Sequence, residues 1–206
     1  DATPKNPMLA FPYTKRHASQ WNVNQAVAIL VCSVAKARAL GLDESRWVYP
    51  LAAVHSKHVV APAQMKDLAS RLGTVVVGER ALQLAGVTRQ DLVASELYSC
   101  FPAAIQSFAK DLAIPAECPW TVTGSMAFFG GPFNNASVEG AAALAEHLRD
   151  APRGARDGGR GRRVGLVSNL SGIFSKMACT IMSNEPGPNG YRFEDVTAEV
   201  AAANPP

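Results

Sequence analysis

The chain has 206 residues, 48% hydrophobic and 18% charged, with a formal net charge of +3 at pH 7. That length supports one domain with a sizeable core, or two small ones. The longest apolar run, residues 26–32, is about a third of the ~20 residues a membrane span needs, so no membrane segment is expected. A net charge this small does not by itself argue for nucleic acid.

The chain opens Asp-Ala-Thr-Pro-Lys-Asn-Pro, polar and proline-broken, unlike a signal peptide. It does not start with methionine, so a processed or trimmed piece is expected. Cys32, Cys100, Cys118 and Cys179 form no CxxC pair, which argues against a zinc knuckle or a thioredoxin-type site. A disulfide framework is uncommon in a chain with a core of this size. Four free thiols in a reducing cytoplasm is the simplest reading.

In chain order, residues 6–20 carry Pro7 and Pro12 and read as extended or loop. Residues 23–32 are apolar all round, so periodicity cannot separate helix from buried strand. The next segment is a helix: Ser33 can cap it, Lys36 and Arg38 face water, and Gly41 supplies a left-handed stop. Residues 47–54 are β-branched and aromatic and predict a strand. Residues 75–85 predict a helix ended by Gly86, and residues 95–100 a short strand. Pro102 then opens a helix to about Leu112. Residues 120–129 are strand or loop, and residues 130–133 a tight turn. Asn134 or Asn135 caps a long helix ending near Arg149, and residues 164–168 and 176–182 are two closing strands. From Asn184 onward the composition predicts a linker or tail. Alternating strands and helices make this an α/β pattern.

Residues 151–163 hold Arg153, Arg156, Arg160, Arg162 and Arg163 against Asp157, a local +4 that leaves −1 for the rest of the chain. The segment reads as a solvated loop or as an arginine-glycine nucleic-acid segment. No aromatic residue interleaves with the arginines to stack bases, which favours the solvated loop. The long helix would place it ~22 Å from the turn at residues 130–133.

Three loops carry the residues suited to chemistry. Cys100 stands two residues before a proline-started helix, where free N–H groups and the positive helix end would lower a thiol pKa. The alternative is a buried packing cysteine. The turn Gly130-Gly131-Pro132-Phe133-Asn134-Asn135 lets backbone approach a ligand closely and presents helix N–H groups to an anion. It lacks the spacing of a nucleotide fingerprint. Ser168-Asn169-Leu170-Ser171-Gly172 reads as a third strand-end turn, and together the three suggest one composite pocket. His55 and His58 are three apart with strand-like flanks and no carboxylate beside them, so no metal site is expected. His17 and His147 read as isolated surface histidines.

With "GERALQLAGVTRQDLVASELYSCF", "TVTGSMAFFGGPFNNASVEG" and "VGLVSNLSGI" in this order, the chain resembles the C-terminal half of thiolases, especially the sterol-carrier-type thiolases and bacterial thiolase-like proteins. The resemblance runs from about Asn22 to Met182. It implies a thiolase-like α/β fold, a C-terminal βαβαβαββ half preceded by the last strand and helix of the N-terminal half. Residues 1–45 would end the N-terminal half, with residues 26–32 as strand; residues 46–183 would be the C-terminal domain, and residues 184–206 a tail or linker.

In such enzymes a cysteine of the N-terminal half takes the acyl group from acyl-CoA. The C-terminal half supplies oxyanion holes and moves a proton. The resemblance gives Cys100 the acid/base cysteine of an HDCF motif, with Tyr98 in place of its histidine. Gly130 and Gly131 lie where thiolases carry GHP, Gly131 standing at the histidine, with Asn134 and Asn135 following as alternative donors. Ser168 replaces the histidine of HNLGIG and Asn169 matches its asparagine. The implied function is an acyl-CoA C-acyltransferase of the acetyl-CoA acetyltransferase type. The alternative is a thiolase-fold protein, impaired in catalysis, that binds acyl-CoA or a partner subunit. Coenzyme A would be substrate or ligand and not a resident cofactor. The expected partners are a thiolase N-terminal half, on the parent chain or another subunit, and a second copy in a homodimer.

Overall fold

The computed structural model describes residues 1–69, 71–150 and 161–203. Its centre is a five-stranded sheet of β3 (Tyr49–Ser56), β4 (Leu92–Glu96), β5 (Val164–Ser171), β6 (Lys176–Ser183) and β7 (Arg192–Asp195), in the order β4-β5-β6-β3-β7. β6 runs antiparallel to both neighbours, while β4 is parallel to β5 and β7 to β3. A small hairpin, β1 (Met8–Ala10) with β2 (Tyr13–Thr14), stands apart in the N-terminal segment.

Alternation along β5 explains the two layers of helix. Val164 and Leu166 join one apolar cluster with α2 (Leu72–Ala85), α3 (Pro102–Asp111) and Val200 of α5 (Thr197–Ala203). Val167 faces the other way, onto Leu144 and Leu148 of α4 (Asn135–Asp150). Successive side chains of a strand point to opposite faces, so both faces of β5 are covered. Gly165 lets α4 approach: a β-carbon there would lie 2.9 Å from Leu144 Cδ2.

The expected helix after Ser33 forms as α1 (Val34–Ala39), with the Ser33 side chain accepting from the Lys36 N–H and Gly41 at φ +66°. α2 starts three residues earlier than expected and stops at Gly86, φ +65°. Pro102 opens α3 as read.

Four expectations are corrected. Residues 26–32 form no strand, and Ile29, Leu30 and Val31 are 49%, 79% and 78% exposed. A strand needs a neighbour for its backbone groups. β4 takes its outer partners from Pro119 and Trp120, and residues 26–32 pair with neither edge of the sheet. The strand expected at residues 95–100 ends at Glu96, leaving Cys100 in the loop before α3. Ser168 and Asn169 are not in a turn; β5 continues to Ser171 because β6 pairs with it as far as Lys176, and the reversal falls at Gly172, Ile173 and Phe174, all at positive φ. The tail expected at residues 184–206 is, over its described part 184–203, not a plain tail. β7 joins the sheet beside β3, Val196 and Val200 enter the core, and Arg80 of α2 holds Glu194 at 2.7 Å and Glu199 at 2.9 Å.

Most of the arginine-rich segment lies outside the described residues. Arg163 is buried, and its guanidinium donates to the Arg149 carbonyl at the end of α4, so one of the five arginines is a helix cap. Among the described residues no helix is long and apolar enough to cross a membrane.

Leu144 is fully buried between α4 and Gly165. Leu144→Ala is expected to lower unfolding free energy by about 2–5 kcal/mol, read as a lower midpoint in urea with an unchanged slope.

Candidate functional site

The β4–β5 ladder ends in a side chain. After Glu96 pairs with Val167, the Tyr98 N–H donates to the Ser168 hydroxyl at 3.0 Å where a carbonyl would continue the strand. The chain then turns through Ser99, Cys100 and Phe101 into α3. Beside this loop, the Met126 N–H donates to Ser99 Oγ at 2.9 Å. On the other side Ser137, in the first turn of α4, donates to Asn169 Oδ1. The three predicted loops are therefore neighbours at one end of the sheet, although Ser168 and Asn169 reach the cluster from inside a strand.

A fourth segment, which the residue pattern did not single out, lies across the Cys100 loop and the glycine turn. The Ser19 N–H donates to the Cys100 carbonyl at 3.0 Å and the Gln20 N–H to the Met126 carbonyl at 3.1 Å, while the Gly131 N–H donates to the Gln20 carbonyl at 2.8 Å. The Gln25 amide donates to the Phe129 carbonyl at 2.5 Å and accepts from Asn135 Nδ2 at 3.3 Å. Residues 19–25 thus tie the Cys100 loop, the glycine turn and the start of α4 together. No local signal marks Ser19, Gln20 or Gln25, because their partners lie about 80 to 110 positions away.

The glycine turn is tight as expected. Gly130 sits at φ +95° and a β-carbon there would lie 2.5 Å from Val23 Cγ2. At Gly131 a β-carbon would collide with Ser19 Oγ and lie 2.8 Å from Met126 Sδ. Ser19 and Met126 thus occupy the space beside residue 131. Asn135 begins α4 with its side chain on Gln25 and Glu139, and Asn134 is exposed.

The expected lowering of the Cys100 pKa is reversed. Burial pushes the thiol up, and the N–H groups of Phe101 and Cys100 itself only partly oppose that. Desolvation penalises a thiolate more than two backbone dipoles repay. Burial also raises the Tyr98 phenol, and the neighbouring Cys100 raises it further. The two groups form a neutral pair at pH 7.

His55 finds the carboxylate that no sequence neighbour offered: Asp195 of β7 lies 3.1 Å from its Nε2. Thr197 and then His55 hold the Asp195 carboxyl far below the ordinary carboxylate range. Among the described residues no three His, Cys, Asp or Glu side chains group to hold a metal ion. Two surface clefts lie away from the loop cluster, one lined in part by His58, Met65, Arg71 and Phe174, the other by Arg80, Gln83, Arg192 and Glu194.

Two outcomes follow. Iodoacetamide alkylation of Cys100, followed by peptide mass spectrometry, is expected to reach half its limiting rate at a pH above the ordinary thiol value; Cys32, which is exposed, serves as the internal comparison. Gly131→Ala is expected to cost about 1–3 kcal/mol of stability in urea unfolding, because the added methyl meets Ser19 and Met126.

No family model matches the chain, and no curated protein matches it. Among solved structures, it is similar to a monomeric SCP2-thiolase like protein type 1 from Mycobacterium smegmatis, with 28% identity and a TM-score of 0.76. The match covers 99% of this chain and 42% of that one, so the chain spans less than half the length of this relative. That relative is described as monomeric, which overturns the expected homodimer. The likeness of fold extends over nearly the whole chain, and the α/β fold of this chain is thiolase-like.

Proposed function

We propose that this protein binds coenzyme A or an acyl-CoA thioester at the loop cluster around Cys100, without thiolase turnover. The observation that carries this reading is the filled space at residue 131, the position where the resemblance would put a histidine. Ser19 and Met126 stand where such a side chain would begin. Loss of a histidine that both activates a thiol and supports an oxyanion removes on the order of 10²–10³-fold in rate for the oxyanion donor alone. Tyr98 and Cys100 supply a neutral phenol and a neutral thiol, and neither is a base near pH 7. The proposed ligand-binding set is Tyr98, Cys100, Gly130, Gly131, Asn134, Asn135, Ser168 and Asn169. Within it, Ser168 acts by fixing the Tyr98 backbone. The same reading keeps residues 46–183 as the domain that carries the cluster and residues 1–45 as a segment packed against it.

A second reading is an acyl-CoA C-acyltransferase in which Cys100 gives up a proton. The burial that keeps its thiol protonated favours this role for an acid, though not for a nucleophile.

Calorimetry with CoA and with acetyl-CoA separates the two from each other and from a scaffold. Saturable binding without thioester cleavage is the expected result. Cleavage of acetoacetyl-CoA that depends on added CoA and is abolished by Cys100→Ala would establish the second reading. Absence of binding to either compound overturns both.

A further inference from the structure

Glu96 is the one charged residue of β4 that points inward, and it is only 6% exposed. Among the described residues its carboxylate makes no ion pair; it accepts hydrogen bonds from the loop beyond the end of β4. Oε2 accepts from the N–H groups of Val122 at 2.8 Å and Thr123 at 3.1 Å. The Thr123 hydroxyl donates to Oε1 at 2.8 Å, and the Thr121 hydroxyl to Oε2 at 3.0 Å. Gly140 of α4 makes room for the acid, since a β-carbon there would lie 2.8 Å from Glu96 Cγ.

An acceptor-only group dictates the direction of these bonds. Both threonine hydroxyls spend their protons on Glu96, so their lone pairs face away from it. The Ser125 N–H meets those lone pairs, at 3.1 Å from Thr121 Oγ1 and 3.3 Å from Thr123 Oγ1. Ser125 sits at φ +82°, a conformation that is unfavourable for a residue with a β-carbon and that persists only when its surroundings impose it. The next residue, Met126, donates its N–H to Ser99 Oγ, and its carbonyl accepts from Gln20, while Ser19 bonds the Cys100 carbonyl. Met126 is buried beside Gly131, where it helps to fill the space discussed above.

We propose that Glu96 is the positioning residue of the Cys100 site, acting through the hydroxyls of Thr121 and Thr123 to hold Ser125 in its left-handed conformation and so seat Met126 against Ser99. Its hydrogen bonds go to residues 121–123 and not to Cys100. The proposal rests on the functional reading only in taking Cys100 as the centre of the site.

The test reads Cys100 itself. Glutamine at 96 replaces one acceptor by a donor, so a threonine hydroxyl loses its oriented lone pair and Ser125 relaxes. Glu96→Gln is then expected to raise the iodoacetamide rate of Cys100 at pH 7.5 about tenfold, as release of Met126 and Ser99 admits water to the thiol and eases its ionisation. The pH midpoint of alkylation moves down with it. Ser125→Gly, which takes positive φ without strain, is expected to return the rate of the double variant to within about twofold of the unsubstituted protein. Thr123→Val carries the same test without touching the carboxylate, should Glu96→Gln fail to fold; its alkylation rate should also rise, and Ser125→Gly should reverse it. An unchanged Cys100 rate in the folded single variant overturns the proposal, and so does a raised rate that Ser125→Gly leaves raised. No acyl-CoA enters this measurement, so a failure of ligand binding counts against the proposed function alone.

Discussion

Where the β4–β5 ladder stops decides where Tyr98, Cys100, Ser168 and Asn169 stand. The parallel pairing runs through Glu96 opposite Val167, and the next donor, Tyr98 N–H, goes to the hydroxyl of Ser168. A side chain can satisfy one backbone group without holding the next residue in the sheet, so the chain is released there and turns toward α3. Tyr98, Ser99 and Cys100 consequently leave the sheet beside Ser168 and Asn169, which remain in it through pairing with β6. The cluster of loops is a consequence of one strand ending while its neighbour continues.

What surrounds that cluster limits its chemistry. Residues 19–25 bond across the Cys100 loop, the Met126 carbonyl and the glycine turn, and Val23 and Ser19 meet the two glycines at distances that leave no room for a β-carbon. The glycines at 130 and 131 therefore allow close packing of the chain on itself, besides the approach to a ligand that the proposed function gives them. The Cys100 thiol follows the same logic. A helix N-terminus lowers a thiol pKa when the thiol is wet; here the packing that brings the N–H groups close also removes the water, and burial outweighs them.

The elements that the sequence made legible are those whose signal is local. Ser33 and Gly41 bracket α1, Gly86 ends α2 and Pro102 begins α3 because caps and stops act on their own turn. The motif resemblance placed three loops in one family's order, and the similarity of fold over 99% of the chain agrees with it. Illegible were the elements whose stability comes from partners far along the chain. The apolar run at residues 26–32 has strand composition but no strand beside it. β7 has a polar, charged sequence, yet pairs with β3 and is fastened by Arg80 and His55 from other elements. Glu96 carried a faint signal, an acid inside an apolar strand. Its partners at residues 121–123 are some 25 positions away.

By itself, then, the sequence determined an α/β order of elements and their caps, and it resembles thiolases in the order of the Cys100 loop, the Gly130–Gly131 turn and Asn169. It also determined what these residues lack, since no fold can give an imidazole to Gly131 or Tyr98. The tertiary structure alone decided that Ser19 and Met126 fill the place beside Gly131, that the Cys100 thiol is held protonated, and that residues 192–203 complete the sheet and its helical layer. The division has a physical cause. Side-chain chemistry and turn propensity belong to single residues and their near neighbours, whereas burial, desolvation and strand pairing belong to groups that only folding brings together.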